Sequence, residues 1–123
     1  NRIALFGTRE GKLAEVPQRL VYSLCDGLIA GEGNGPLESL PLALGVISLT
    51  NHSGMNDIAL ATLMRLDARR LPLLQEAARL PGEEPVLLTW HNQEIPLDAL
   101  LQHSVAALPP PGWEVVALKT GTV

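Results

Sequence analysis

Asp26, Glu32 and Asn34 stand among Gly27, Gly31, Gly33 and Gly35 in the segment Asp26-Gly-Leu-Ile-Ala-Gly-Glu-Gly-Asn-Gly-Pro36. Hard cations such as Mg²⁺ or Ca²⁺ take oxygens of this kind. Glycine N–H groups can instead cradle an anion, because no Cβ keeps the ligand away. The two chemistries compete, since carboxylates repel an anion unless a metal lies between them. A divalent cation held by Asp26, Glu32 and Asp57, bridging a small anionic ligand, reconciles them. The plain alternative is a surface turn with no ligand.

Asn56 and Asp57 form the second polar cluster. They are expected in the first turn of a helix, where a carboxylate gains about 0.3–1 kcal/mol from the helix dipole. That alone accounts for Asp57. The sharper expectation is that a strand over 42–50 delivers residues 51–57 to a sheet edge beside the glycine segment, since open α/β sheets bind ligands beyond the carboxyl ends of their strands. The expected ligand-binding set is therefore Asp26, Glu32, Gly33, Asn34, Gly35, Asn56 and Asp57.

Other chemistries fit less well. Gly31-Glu-Gly-Asn-Gly35 resembles part of a dinucleotide fingerprint, but Pro36 and Pro41 follow where a helix should open. No Gly-Lys-Ser or Gly-Lys-Thr occurs, so there is no phosphate-binding P-loop. His52 is a weak candidate for a base or ligand, and His91 and His103 are weaker. Cys25 ends an apolar run and reads as a small buried hydrophobe. Ser23, Ser48 and Thr50 read as ordinary strand residues, and no nucleophile–base set stands out.

The elements that must position these residues alternate between strand and helix. Short apolar runs at 3–6, 19–25, 42–50, 86–90 and 113–118 read as strands, that at 42–50 as interior to a sheet. Met55, Ile58, Ala59, Thr62, Leu63 and Leu66 recur at helical spacing behind an N-cap at Ser53. Leu60, Ala61 and Met64 make the other face of this helix apolar too, so it needs cover on both sides. A second helix is expected over 71–80 and ends at Pro81-Gly82. His91-Asn-Gln93 reads as a tight turn, 96–101 as a short helix or loop, and Pro109-Pro-Pro-Gly112 as a rigid extended linker. The expected fold is α/β, a layered (α/β/α-like) mixed sheet with one strongly apolar buried helix.

The glycine segment, then Leu44-Gly-Val-Ile, then Asn56-Asp-Ile-Ala-Leu-Ala and Met64-Arg-Leu-Asp67, together resemble the C-terminal half of the uncharacterised family called domain of unknown function 362. The likeness is best over residues 20–80. It implies an α/β domain, often found in chains that also carry iron–sulfur ferredoxin modules, and matches Asp26, Glu32, Asn34 and Asp57 to the family's polar positions. It implies no reaction. This chain departs from the family pattern at His52-Ser-Gly-Met55 and at Arg65, where the family usually has glycine.

Composition bounds the rest. The chain of 123 residues is 46% hydrophobic and 18% charged, enough for a single domain with a core of Leu, Val, Ile and Ala. A net charge of −4 and only 3% aromatics argue against a nucleic-acid partner. No run of about 18 apolar residues suggests a membrane span. One cysteine cannot hold an iron–sulfur cluster, so none is expected within this chain. A cytoplasmic location is the default expectation. A chain opening on Asn1 reads as part of a longer protein. The alternative to a ligand site is an interaction or structural module, with a homo-oligomer or a partner domain covering the helix at 54–66.

Overall fold

The glycine segment turns back on itself at Gly35, Pro36 and Leu37, because so short a connection permits only antiparallel pairing. The computed structural model describes residues 8–9, 12–14, 18–78 and 87–118. Strands β1 (Thr8–Arg9) and β2 (Lys12–Leu13) form a small antiparallel pair. Strands β3 (Ser23–Gly27) and β4 (Ala30–Asn34) make the outgoing arm of a long hairpin; β5 (Glu38–Leu42) and β6 (Val46–Thr50) make the return arm. Asn34 pairs with Glu38 near the tip, Ala30 with Leu42, Gly27 with Val46, and Ser23 with Thr50 at the base. Between the two ladders Leu28 and Ile29 face Ala43, Leu44 and Gly45. The extra residue is a bulge, and its left-handed position falls to Gly45 at φ +71°, whose N–H donates to the Leu28 carbonyl at 3.1 Å.

Helix α1 (Ser53–Leu63) starts one residue earlier than expected. His52, not Ser53, is its N-cap: its Nδ1 accepts from the Met55 N–H at 3.2 Å, and its own N–H donates to Thr50 Oγ1 at 2.9 Å. The first turn therefore contains no acidic residue, and Asp57 lies beyond the strongest part of the helix dipole. Only Asp57 of the helix is exposed.

The other end of α1 closes as a Schellman motif. The Leu66 N–H donates to the Ala61 carbonyl at 2.8 Å and the Arg65 N–H to the Thr62 carbonyl at 3.0 Å, with Arg65 left-handed at φ +56°. The carbonyls still open there are taken from far along the chain, by the amides of Val105 on Leu63, Ala107 on Met64 and Leu118 on Arg65. Glycine is the usual residue at the left-handed position, since a Cβ costs about 1–2 kcal/mol there. Arg65→Gly is expected to stabilise the protein by up to about 1 kcal/mol, the gain being trimmed by the entropy of glycine in the unfolded chain. Thermal melts of the two proteins check this; a lower melting temperature for the glycine variant would refute it.

A 3₁₀ turn (Ala68–Arg70) and helix α2 (Pro72–Ala78) follow. Strands β7 (Thr89–Trp90) and β8 (Gln93–Glu94) enclose His91 and Asn92, both left-handed (φ 49° and 63°), as a type I′ hairpin turn requires. Residues 97–103 form a 3₁₀ helix (Leu97–His103). Where a rigid linker is expected, Pro111 and Gly112 (φ +83°) make a type II turn closed by the Trp113 N–H on the Pro110 carbonyl at 2.9 Å. Where a last strand is expected, Glu114–Val116 is a 3₁₀ turn, and one antiparallel bridge joins Ala117 to Leu66.

Strands and helices are thus mixed, but the described strands form four antiparallel pairs and no layered mixed sheet. Consecutive strands joined by short turns pair with each other and leave nothing to insert between them. Among the described residues β6 has one neighbour only, so it is not interior to a sheet. Leu44, Val46, Leu63 and Leu100 make one buried cluster; Ile58, Ala61 and Leu74 make a second on the other side of α1. No described helix is long and apolar enough to cross a membrane. The expected strand at 3–6, the end of the second helix with its Pro81-Gly82 stop, and the start of the strand at 86 lie outside the described residues.

Candidate functional site

The polar groups of the glycine segment are engaged within the fold. Asp26 Oδ1 accepts from the Leu28 N–H at 3.1 Å, holding the bend that leads into β4. Asn34 Nδ2 donates to Glu38 Oε2 at 2.8 Å across the hairpin, between residues that are direct partners. Glu32 reaches away from the hairpin: its Oε2 accepts from the Leu108 N–H at 2.8 Å, and the Leu108 carbonyl accepts from the Gly33 N–H at 2.8 Å. The Gly35 N–H donates to the Gly33 carbonyl at 2.9 Å. The amides of Gly33 and Gly35, expected to face an anion, are therefore occupied, and Glu32 fastens Leu108 to the edge of β4. Asp26 and Glu32 lie on opposite sides of the bulge. Among the described residues no three His, Cys, Asp or Glu side chains gather into a group that could hold a metal ion, so Asp26, Glu32 and Asp57 do not converge.

Asn56 and Asp57 part company. Asp57 points outward; Asn56 is 8% exposed and turned to the interior. It lines a cavity of about 760 Å³ between β6, the first half of α1 and the β7–β8 hairpin. That volume lies in the range of small-molecule sites. Ser48 lines the same cavity, and its buried Oγ has no hydrogen-bond partner. The Asn56 amide likewise makes no side-chain hydrogen bond among the described residues. Trp90 forms part of the wall, its ring stacked on His103 with centroids 4.9 Å apart and planes 21° from parallel. Ser48 was not expected to matter. The signal was a hydroxyl in the middle of the apolar run Val46-Ile-Ser-Leu49.

The two faces of the β3–β6 ribbon are the other notable surface. Side chains alternate between faces along a strand. The inner row is small or polar: Ser23, Cys25 and Gly27 opposite Thr50, Ser48 and Val46. The outer row sets Leu24 opposite Leu49 and Asp26 opposite Ile47, with Tyr22 exposed beside them.

No family model matches the chain, and no curated protein or solved structure matches it.

Proposed function

We propose that this chain is an interaction module that packs the outer face of its β3–β6 ribbon against a partner domain or subunit. One observation carries this reading. The more apolar face of the ribbon is the outward one, with Leu24 72%, Leu49 69% and Ile47 64% exposed. A two-stranded ribbon is at best marginal in water without an apolar face to bury. Contiguous apolar surface rimmed by polar residues marks protein contacts. Helix α1, the surface first suggested by the sequence, offers little for this purpose because only Asp57 on it is exposed.

A face of this kind self-associates when its natural cover is absent. Light scattering on the purified chain is expected to show a mass that rises with concentration. Leu24→Lys is expected to return it to a monomer with an unchanged far-UV spectrum, since Leu24 touches neither buried cluster nor the cavity. A wild-type chain that stays a monodisperse monomer at every concentration would defeat the reading.

A further inference from the structure

We infer that the cavity between β6, α1 and the β7–β8 hairpin is a binding site for a small neutral molecule that carries an amide-type head on an apolar body. This does not rest on the ribbon face. One part of the wall is apolar, with Leu60, Leu63, Leu97 and Leu100 among its side chains, and suits an alkyl or aryl body. Two polar residues stand in the cavity wall and bond no other side chain among the described residues: Ser48, whose hydroxyl is buried and without a partner, and Asn56, whose carboxamide belongs to a residue 8% exposed. Buried polar groups are nearly always satisfied, so an orphan in a cavity wall points to a partner that the protein does not itself supply.

The chemistry of the pair selects the head. A carboxamide offers an N–H donor and a C=O acceptor side by side, and a ligand amide presents the complementary pair. The Ser48 hydroxyl adds one rotatable donor with two acceptor lone pairs. Charge selects against ions. Among the described residues no lysine or arginine lines the cavity to meet an anion, and Glu94 supplies the one carboxylate on its wall. Glu94 is exposed and solvated, so it offers a cationic head little to offset the cost of leaving water.

Hexanamide, hexanoate and hexylamine share one alkyl body and test the head alone. Trp90 lines the cavity while Trp113 is half exposed and does not, so a Trp113→Phe background makes Trp90 fluorescence the reporter. Titration with hexanamide is expected to give a saturable change, with hexanoate and hexylamine weaker by about tenfold or more. Asn56→Leu and Ser48→Ala are each expected to weaken hexanamide by roughly five- to tenfold, as loss of a hydrogen bond should. Neither variant is expected to lower the melting temperature, because neither side chain makes a hydrogen bond within the described fold. A structural role for these side chains would do the opposite. The inference is overturned by no saturable response to hexanamide, by equal affinity for the three compounds, by variants that bind as wild type does, or by a lower melting temperature in Ser48→Ala. Ser48→Ala only removes atoms, so it remains decisive if the bulkier leucine at position 56 disturbs folding.

Discussion

Truncation of Leu100 to alanine is expected to cost about 2–5 kcal/mol in urea unfolding, the range for a fully buried leucine. Leu100 is 1% exposed, the largest fully buried side chain described, and packs with Leu44, Val46 and Leu63. It therefore joins the bulge of the long hairpin, the end of α1 and the 3₁₀ helix Leu97–His103 into one cluster. A whole domain is stable by about 5–15 kcal/mol, so one truncation should remove a large part of the total. The loss includes a cavity term, and it falls at the low end if the loosely wound 3₁₀ segment collapses into the space. Leu40→Ala, at a half-exposed hairpin position, should change stability by less than about 0.5 kcal/mol. Similar costs for the two variants would show that the core does not lie where Leu100 sits.

The second large effect is expected at Asp67. Its carboxylate caps the 3₁₀ turn Ala68–Arg70: Oδ1 accepts from the Arg69 N–H at 3.1 Å and from Arg69 Nε at 2.9 Å, and Oδ2 from Arg69 Nη2 at 3.2 Å. Arg70 Nε lies 3.5 Å from Oδ2. The side chain of Asp67 is 11% exposed while that of Arg69 is 85% exposed. Asp67→Ala is expected to cost about 1–3 kcal/mol, the price of an N-cap and of leaving the Arg69 N–H unmet. Arg69→Ala should cost far less, because a solvated guanidinium gains little from its ion pair.

The same site predicts a pH dependence. The Arg69 side-chain hydrogen bond, helped by the Arg69 backbone N–H and the nearby arginine charges and opposed by burial, holds the Asp67 carboxyl below its ordinary value of 3.8. A carboxyl depressed in the folded state binds its proton more readily when unfolded. Its contribution is complete above the unfolded value and is lost as pH falls through the folded one. Stability measured from pH 6 downward should therefore fall more steeply below about 3.8 for wild type than for Asp67→Asn. Parallel curves for the two proteins would refute the assignment.

How much of this could be read in the residues depends on the signal each element carries. Helix α1 was legible because Met55, Ile58, Ala59 and Thr62 keep its period, and its start was missed by one residue because histidine is a rare cap. The turn at His91-Asn92 was legible as polar residues between strand-like runs. The glycine segment misled. Glycine is a poor strand former, so Gly31, Gly33 and Gly35 read as a ligand loop. Their strict alternation with Glu32 and Asn34 was the period of a strand, and Asn34-Gly35 is itself a hairpin signature. The likeness to domain of unknown function 362 rests on this same order of residues. The residues suggest a place for Asn56 beside the glycine segment; that it lines a cavity with Ser48 depends on how β6 packs against α1, which is a tertiary outcome. The Leu108 tether on Glu32 joins residues far apart in sequence, and no local pattern announces it.

The end of α1 has a consequence for how the chain comes into being. The amides that close its last carbonyls belong to Val105, Ala107 and Leu118, about forty to fifty residues further on, and contacts of such long range form late because the intervening loop must first be closed. A ribosome adding about 5–20 residues per second releases the helix seconds before anything that can finish it. Until Leu118 emerges the Arg65 carbonyl lacks its partner, and a chain stopped after residue 104 would never receive any of the three bonds that complete the helix end.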